Sequence, residues 1–467
     1  MLRLPDPAQG SGAQLYSPSD VIRSGLCIGC GSCAASFANA QMSWDKDGFL
    51  KPHGPREWLE RGSASFSRQC PFSPVAEDED SIGLRHFGRA ASQDPSLGRF
   101  EAAYVGASVE GVFRSQGSSG GLTNWVAAEL LRTKRIDAVA HVTPADPESR
   151  RFFEYRISHS IDELGTGAKS RYYPIELTGV LRAIRASPGR YALVGIPCFI
   201  KAIRLLQRDD PVLRERITHT LGLFCGHMKS AAMVESFAWQ LGTEVGRVQA
   251  LDYRIKDETR PANWYRAHLD LVDGSAREKD WWHLSDGDWG AGFFQNPACS
   301  WCDDVVAETA DIAFGDAWVE PYSSDGRGTN VVIARTAEMK SLLEHGRATG
   351  RLKLDPVSAE FVIATQAAGL RHRREGLAYR LSWHRRRLRP RKRVAPSTAL
   401  PLRRKFVFRL RSHIATWSHR MFRLARATHS PAIYLAWARV MLRIYQGVAW
   451  SRGSFGALVD RCLPSNK

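Results

Sequence analysis

The 467-residue sequence predicts an α/β protein in three parts: a small cysteine-bearing N-terminal module, a mixed-sheet α/β domain and a basic α-helical C-terminal extension. Three observations predict this. From Ala102 onward, strand-like runs alternate with amphipathic helical ones, the pattern of a sheet with crossover helices. Eight of the nine cysteines form two sets of four, one ahead of that domain and one inside it; Cys462 is left over. Charge is also segregated: residues 371–467 hold 24 Lys and Arg against Glu375 and Asp460, or +22, while the other 41 basic and 46 acidic residues leave the remainder at −5.

Taken in order, residues 1–20 are rich in Pro, Gly and Ser and read as flexible; residues 21–75 hold the first cysteine set; residues 76–95 read as a linker. Residues 96–355 form the α/β domain. Within it AAYVGASV, IDAVAHVT, YALVGIP, THTLGLFC, ADIAFGDAW and NVVIART are strand-like, and LTNWVAAELLRT, CFIKAIRLLQR, MKSAAMVESFAWQL and AEMKSLLEHGR are helical. YRAHLDLVDGSAREK reads as a hairpin with a DG turn. Residues 356–467 read as helical, interrupted at Pro390, Pro396 and Pro401.

With 43% hydrophobic and 24% charged residues, the chain reads as soluble and globular. MLRLPDPAQG lacks the apolar core of a signal peptide, and no run approaches 18 apolar residues, so the expectation is a cytoplasmic protein with reduced thiols. The extension interleaves arginines with Trp and Phe at helical spacing. That pattern suits peripheral contact with the inner face of a membrane, or with a partner protein, better than nucleic acid; the plain alternative is packing on the body with solvated arginines.

Cys27-x2-Cys30-x2-Cys33 is the spacing of a ferredoxin-like [4Fe-4S] module, with Cys70-Pro71 as the distant fourth ligand. Gly29 and Gly31 let the chain curl tightly around such a group. A structural zinc site prefers two separated Cys-x2-Cys pairs. In the second set, Cys198 and Cys225 follow strands, which places them at the carboxyl edge of the sheet, and Cys299 and Cys302 are adjacent in CSWC. Spacing alone leaves a second cluster and four inert buried thiols equally open.

Ser118, Ser119, Gly120 and Gly121 lie between a strand and a helix, a candidate phosphate cradle that matches neither the Walker nor the G-x-G-x-x-G pattern. Thr123 is a candidate helix cap or ligand contact. In GTGAKSRYYP, Lys169 or Arg171 could pair with a phosphate and Tyr172 could stack on a planar ring; a solvated surface loop is the alternative. Asp311 and Asp316 could orient a cofactor or merely end a strand, and His227 could be a proton donor or an ordinary polar histidine. No nucleophilic triad is expected.

CIGCGSC, WDKDGFLKP and QCP, followed by SSGGLTNWVAAELL, GAKSRYYP, GIPCFIKAI, GLFCG, CSWCDDVVAETADIAFGDAW and SDGRGTNVVIART, resemble the family of coenzyme F420 hydrogenase/dehydrogenase beta subunits in the family's own block order, over roughly residues 21–340. The family also includes relatives of 7-hydroxymethyl chlorophyll a reductase. The resemblance implies an oxidoreductase with FAD, two [4Fe-4S] clusters and a reducible partner such as F420 beside the flavin. It implies that Cys198, Cys225, Cys299 and Cys302 hold the second cluster, and that the Ser118–Gly121 loop, the Lys169–Tyr172 segment and Gly195–Pro197 surround FAD. Arg68 and Gln69 stand where many relatives carry extra cysteines, which argues against a further N-terminal cluster. The extension has no counterpart in the hydrogenase subunits; members with such extensions resemble proteins of bacterial surface-polysaccharide pathways. The competing expectations are a non-catalytic electron-transfer subunit or scaffold, and a zinc-stabilised interaction protein.

Overall fold

A computed structural model describes residues 14–146, 149, 151–384 and 388–462; the first thirteen residues and the arginines 385–387 of the charge run lie outside it. An eight-stranded mixed sheet organises the body, in the order Leu352–Pro356, Ala102–Ser108, Asn330–Ala334, Ile312–Asp316, Ile217–Leu223, Tyr191–Gly195, Ala138–Pro144 and Phe153–Ser158. The four strands from Ile312–Asp316 to Ala138–Pro144 are mutually parallel. The others pair antiparallel at the two sides. The central strands are buried almost throughout, as expected for a sheet covered on both faces. Phe153–Ser158 and Leu352–Pro356 were not legible as strands; both lie at the sheet's edges, where apolar patterning weakens.

The crossover helices follow from their apolar stripes. Leu122–Arg132 buries Leu122, Trp125, Val126 and Leu130 against Met339, Leu342 and Leu343 of helix Ala337–Ala348. Pro197–Asp209 is buried along almost its whole length because the N-terminal module covers it from outside, through the short helices Ser32–Ala35 and Ala64–Gln69. The DG hairpin forms, with Gly274 at φ +78, inside a separate three-stranded sheet.

The segment read as a linker is structured. Glu79–Phe87 is a helix capped by the Asp78 side chain, followed by a short hairpin. Ile82 is fully buried, and Glu79 forms an ion pair of 3.1 Å with Lys201 inside the protein. Its acidic run gains partners on the body, so it does not stay in solvent.

The C-terminal extension is helical as expected, with Leu402–Ala427 and Pro431–Trp450 antiparallel neighbours after the proline-rich stretch. Much of its apolar surface is used internally. Phe408 closes on Gly376, while Ile414, Phe422, Tyr434, Ala438 and Tyr445 share one core with Phe237, Tyr253, Trp281 and Phe294 of the body. Arg373, Arg380 and Arg403 are buried, so the arginines of this segment are not simply solvated. The expected membrane contact gains no support from this packing, which covers part of the extension's aromatic surface and leaves Phe406, Trp417, Trp450 and Phe455 exposed. Among the described residues no helix is long and apolar enough to cross a membrane.

Candidate redox site

The first quartet is assembled largely by local turns. Cys27, Cys30, Cys33 and Cys70 line one small cavity with Gly29, Gly31, Pro71 and Phe72. Gly29 and Gly31 are left-handed, at φ +84 and +78. A Cβ on Gly29 would lie 2.6 Å from the Leu50 carbonyl oxygen, and one on Gly31 would lie 2.6 Å from Glu176 Oε2, so only glycine fits either position. Burial pushes the Cys30 thiol up to about 11 and the Cys33 and Cys70 thiols up as well; the neighbouring sulfurs of the quartet add to each rise. The module is keyed to the body: the Leu177 amide donates to the Cys30 carbonyl at 2.9 Å, Asn296 Nδ2 to the Ile28 carbonyl at 3.3 Å, and Arg182 to the carbonyls of Ala34, Phe37 and Ala40.

The second quartet is assembled by the sheet. Cys198 is the second residue of the helix that leaves strand Tyr191–Gly195, with Pro197 at its start, and Cys225 follows strand Ile217–Leu223. Cys299 and Cys302 lie in and just after the 3-10 turn Pro297–Trp301, which the Asn296 side chain caps. All four are free thiols. Burial raises each of them, and beyond burial the Cys198 sulfur feels Cys302, Cys225 and Cys299, so the four converge on one place. The Met228 amide donates to Cys299 Sγ at 3.2 Å. A helix N-terminus at Cys198 and an amide aimed at Cys299 both favour thiolate.

The two quartets adjoin. Cys30 is among the charges felt by Cys198, and Tyr155 feels both. The Tyr155 ring stacks on Phe199, and its hydroxyl donates to the Val194 carbonyl at 2.8 Å. Sequence reasoning missed Tyr155, which lies on an edge strand with no motif around it.

Among the described residues, no group of three or more His, Cys, Asp or Glu side chains is close enough to hold a single metal ion. One zinc ion draws its sulfurs to about 2.3 Å. A cubane takes each thiolate on a different iron and holds the four further apart. Two all-thiol quartets, glycines where a Cβ cannot fit and amides aimed at sulfur fit that larger group.

The nominated flavin residues divide. The Ser170 amide donates to Ser118 Oγ at 2.8 Å, so the two loops meet at the carboxyl edge. Ser119 Oγ donates to the Thr329 carbonyl, and Gly120 packs against the Gly106 carbonyl and Asn330. Gly121, at φ +79, caps helix Leu122–Arg132, and the Leu122 amide donates to Asn330 Oδ1. Thr123 is thus one residue inside the helix and caps nothing. Lys169 pairs with Asp252 at 3.3 Å. Tyr172 is enclosed by Tyr253, Trp281 and Trp289, with ring centroids 5.4, 5.8 and 4.7 Å away. Gly195 and Pro197 stand beside Cys198, four strand positions from Ala102–Ser108, roughly 19 Å at the usual strand spacing.

Lys256 and Arg114 were not singled out. Lys256 Nζ donates to the Ser119 carbonyl at 3.0 Å, and burial beside Arg114, Lys169 and Arg254 lowers it to about 8. These cations ring the serine–glycine loop, so the loop has the electrostatics of an anion cradle. Asp316 pairs with buried Arg254 at 3.1 Å, and Asp311 pairs with Arg204 at the opposite end of its strand; both act structurally. His227 is buried, stacks on Trp289 at 4.5 Å and is held neutral by burial and the nearby Lys229. A cavity of about 320 Å³, lined by Trp44, Phe152, Tyr173, His419, Phe422 and Arg423 among others, holds none of the nominated residues.

With this geometry in view, two family descriptions match, both of the beta subunit of coenzyme F420 hydrogenase/dehydrogenase. The description of its N-terminal part matches residues 103–182 and that of its C-terminal part matches residues 189–360, together more than half of the chain. The chain belongs to this family. Its relatives include the coenzyme F420-dependent sulfite reductase of Methanocaldococcus jannaschii, 24% identical over 70% of this chain and 47% of that protein. A subunit of the F(420)H(2) dehydrogenase of Methanosarcina mazei is 21% identical over 64% of this chain and 79% of that one. The chain thus spans about half the length of the sulfite reductase. A chain of the F420-reducing [NiFe] hydrogenase complex from Methanosarcina barkeri superposes with TM-score 0.46 at 17% identity, over 60% of this chain and 92% of that one, too weak a likeness to argue from. The family is one of F420-linked oxidoreductase and electron-transfer subunits.

Proposed function

We propose that this chain is an F420-linked redox subunit in which Cys27, Cys30, Cys33 and Cys70 hold one [4Fe-4S] cluster and Cys198, Cys225, Cys299 and Cys302 hold a second. In this reading Ser118–Gly121, Lys169 and Lys256 cradle the phosphates of FAD. The observation that carries it is the pair of adjoining all-thiol quartets, with Cys30 of one electrostatically coupled to Cys198 of the other. When bound, the clusters would supply single-electron transfer, and FAD would supply its exchange with two-electron transfer to F420 or another organic substrate.

The chain's own part is placement and shielding. Gly29 and Gly31 curl the backbone around the first sulfurs, and the helix starting at Pro197 directs its amide end toward Cys198. Tyr155 stacks on Phe199 and packs against the core that contains Cys30 and Cys198. Buried thiols with raised pKa release their protons when the metal binds. The cationic ring of Arg114, Lys169 and Lys256 would hold a dinucleotide's phosphates.

The second reading is an electron-transfer subunit that serves a separate enzyme. The F420H2 dehydrogenase relative is by name one subunit of its enzyme, which favours a partner protein.

Anaerobic purification with iron, sulfide and flavin quantified tests the proposal, with about eight irons per chain expected for two cubanes. Colourless, zinc-containing protein would sink it. Oxidation of reduced F420 by the isolated chain separates the enzyme from the electron-transfer subunit, which turns over only when its partner is added.

A further inference from the structure

The C-terminal extension enters the second cysteine site. Arg373, 2% exposed, belongs to helix Ala367–Arg373, beyond the family match at residue 360. Its Nη2 donates to the Cys225 carbonyl at 3.1 Å and the Gly226 carbonyl at 2.6 Å, and lies 3.9 Å from Cys225 Sγ. Its Nε has no hydrogen-bond partner among the described residues. Its chief electrostatic partners are the four sulfurs of Cys302, Cys225, Cys299 and Cys198, while the neighbouring Arg374 turns to Glu308 at 2.9 Å. Arg380, 1% exposed, backs it and donates to the Ser300 carbonyl between Cys299 and Cys302. Further along, Lys392 Nζ pairs at 2.7 Å with Asp303, the residue after Cys302, and Arg393 reaches the same carboxylate at 3.4 Å. The extension therefore holds the loops that bear Cys225, Cys299 and Cys302.

A guanidinium buried this deeply against carbonyls and sulfur carries a large desolvation penalty unless a negative group offsets it. Four thiolates around an inorganic core are such a group.

We propose that Arg373, Arg380, Lys392 and Arg393 form the cationic wall of the second cysteine site, with Arg373 as a positioning residue that holds the Cys225 loop and sets its positive charge against the group the quartet binds. This rests on the cluster assignment above. A positive charge beside a redox centre stabilises its reduced form, so removing the charge makes reduction harder.

The test is an anaerobic redox titration followed by EPR on full-length protein, comparing wild type, Arg373→Gln and Arg373→Lys, with iron counted in each and Cys198→Ser identifying the second-site signal. Arg373→Gln is expected to move the second-site midpoint to lower potential and leave the first-site midpoint in place, while Arg373→Lys stays near wild type. Loss of second-site iron in Arg373→Gln that Arg373→Lys restores also supports the charge role. Equal loss in both variants, or full iron with both midpoints unmoved in Arg373→Gln, overturns it. A wild-type protein with about four irons instead removes the cluster assignment itself, a different and separately visible failure.

Discussion

Cys27, Cys30 and Cys33 fall within one short loop, and two left-handed glycines turn that loop around its own sulfurs; only Cys70 comes from further along the chain. Cys198, Cys225, Cys299 and Cys302 come from three separate segments, joined by parallel strands that end side by side and by a cationic segment from the C-terminus. The first site belongs to a motif, the second to a sheet edge. A locally built site depends on backbone conformation, whereas one built from distant segments depends on everything that holds those segments together. The first site should therefore be broken by single changes in its loop and the second by changes far from its cysteines.

The largest expected effect is loss of one cluster without the other. Cys299→Ser should halve the iron from about eight to about four per chain and leave the first-site signal, and Cys30→Ser should do the converse. Loss of both signals from either variant would show that the sites fold as one unit.

Next come the remote supports. Lys392→Ala leaves Asp303 fully buried without its closest cation and should cost about 3–5 kcal/mol in denaturant unfolding. The second-site signal should be lost first. Phe422→Ala removes a ring packed among Trp239, Phe294 and Tyr434, at about 3–5 kcal/mol. A loss under about 1 kcal/mol would mean that the extension is a loose appendage rather than part of the core.

Gly31→Ala probes the local site. At φ +78, with Glu176 in the way, it should cost about 1–3 kcal/mol and weaken the first-site signal selectively. Equal weakening of both signals would break the contrast between the sites.

The smallest effect lies in the sheet, away from both sites. Burial lowers His141, on strand Ala138–Pro144, to about 4, and its Nε2 meets Ser158 Oγ at 2.8 Å. Between pH 6.5 and 4 the unfolded chain binds the proton that the folded chain refuses, so stability falls as pH falls through this window. The loss should be about 1 kcal/mol between about pH 6.5 and 5.5, and His141→Gln should flatten it in urea titrations. An unchanged slope would assign acid sensitivity to other groups.

Much of this was legible in residue order. Alternating strand and helix patterns placed the sheet, and the spacing of CIGCGSC placed the first quartet, because both rest on interactions between near neighbours. Spacing left the second quartet undecided, since inert buried cysteines look the same in sequence. One feature misled. An acidic run suggested a loose linker, yet it gains its partners from segments far along the chain, such as Glu79 with Lys201 and Arg393.

By itself, the amino-acid order determined most of the helices, the central strands, the family and the tight Cys27–Cys33 loop, because hydrophobic period and turn chemistry act over a few residues. Tertiary structure alone decided that Tyr155 packs against the core holding Cys30 and Cys198, that Lys256 joins the serine–glycine loop, and that Arg373 reaches the Cys225 sulfur. Those placements depend on which buried charges find partners once distant segments are packed, and no local pattern carries that information.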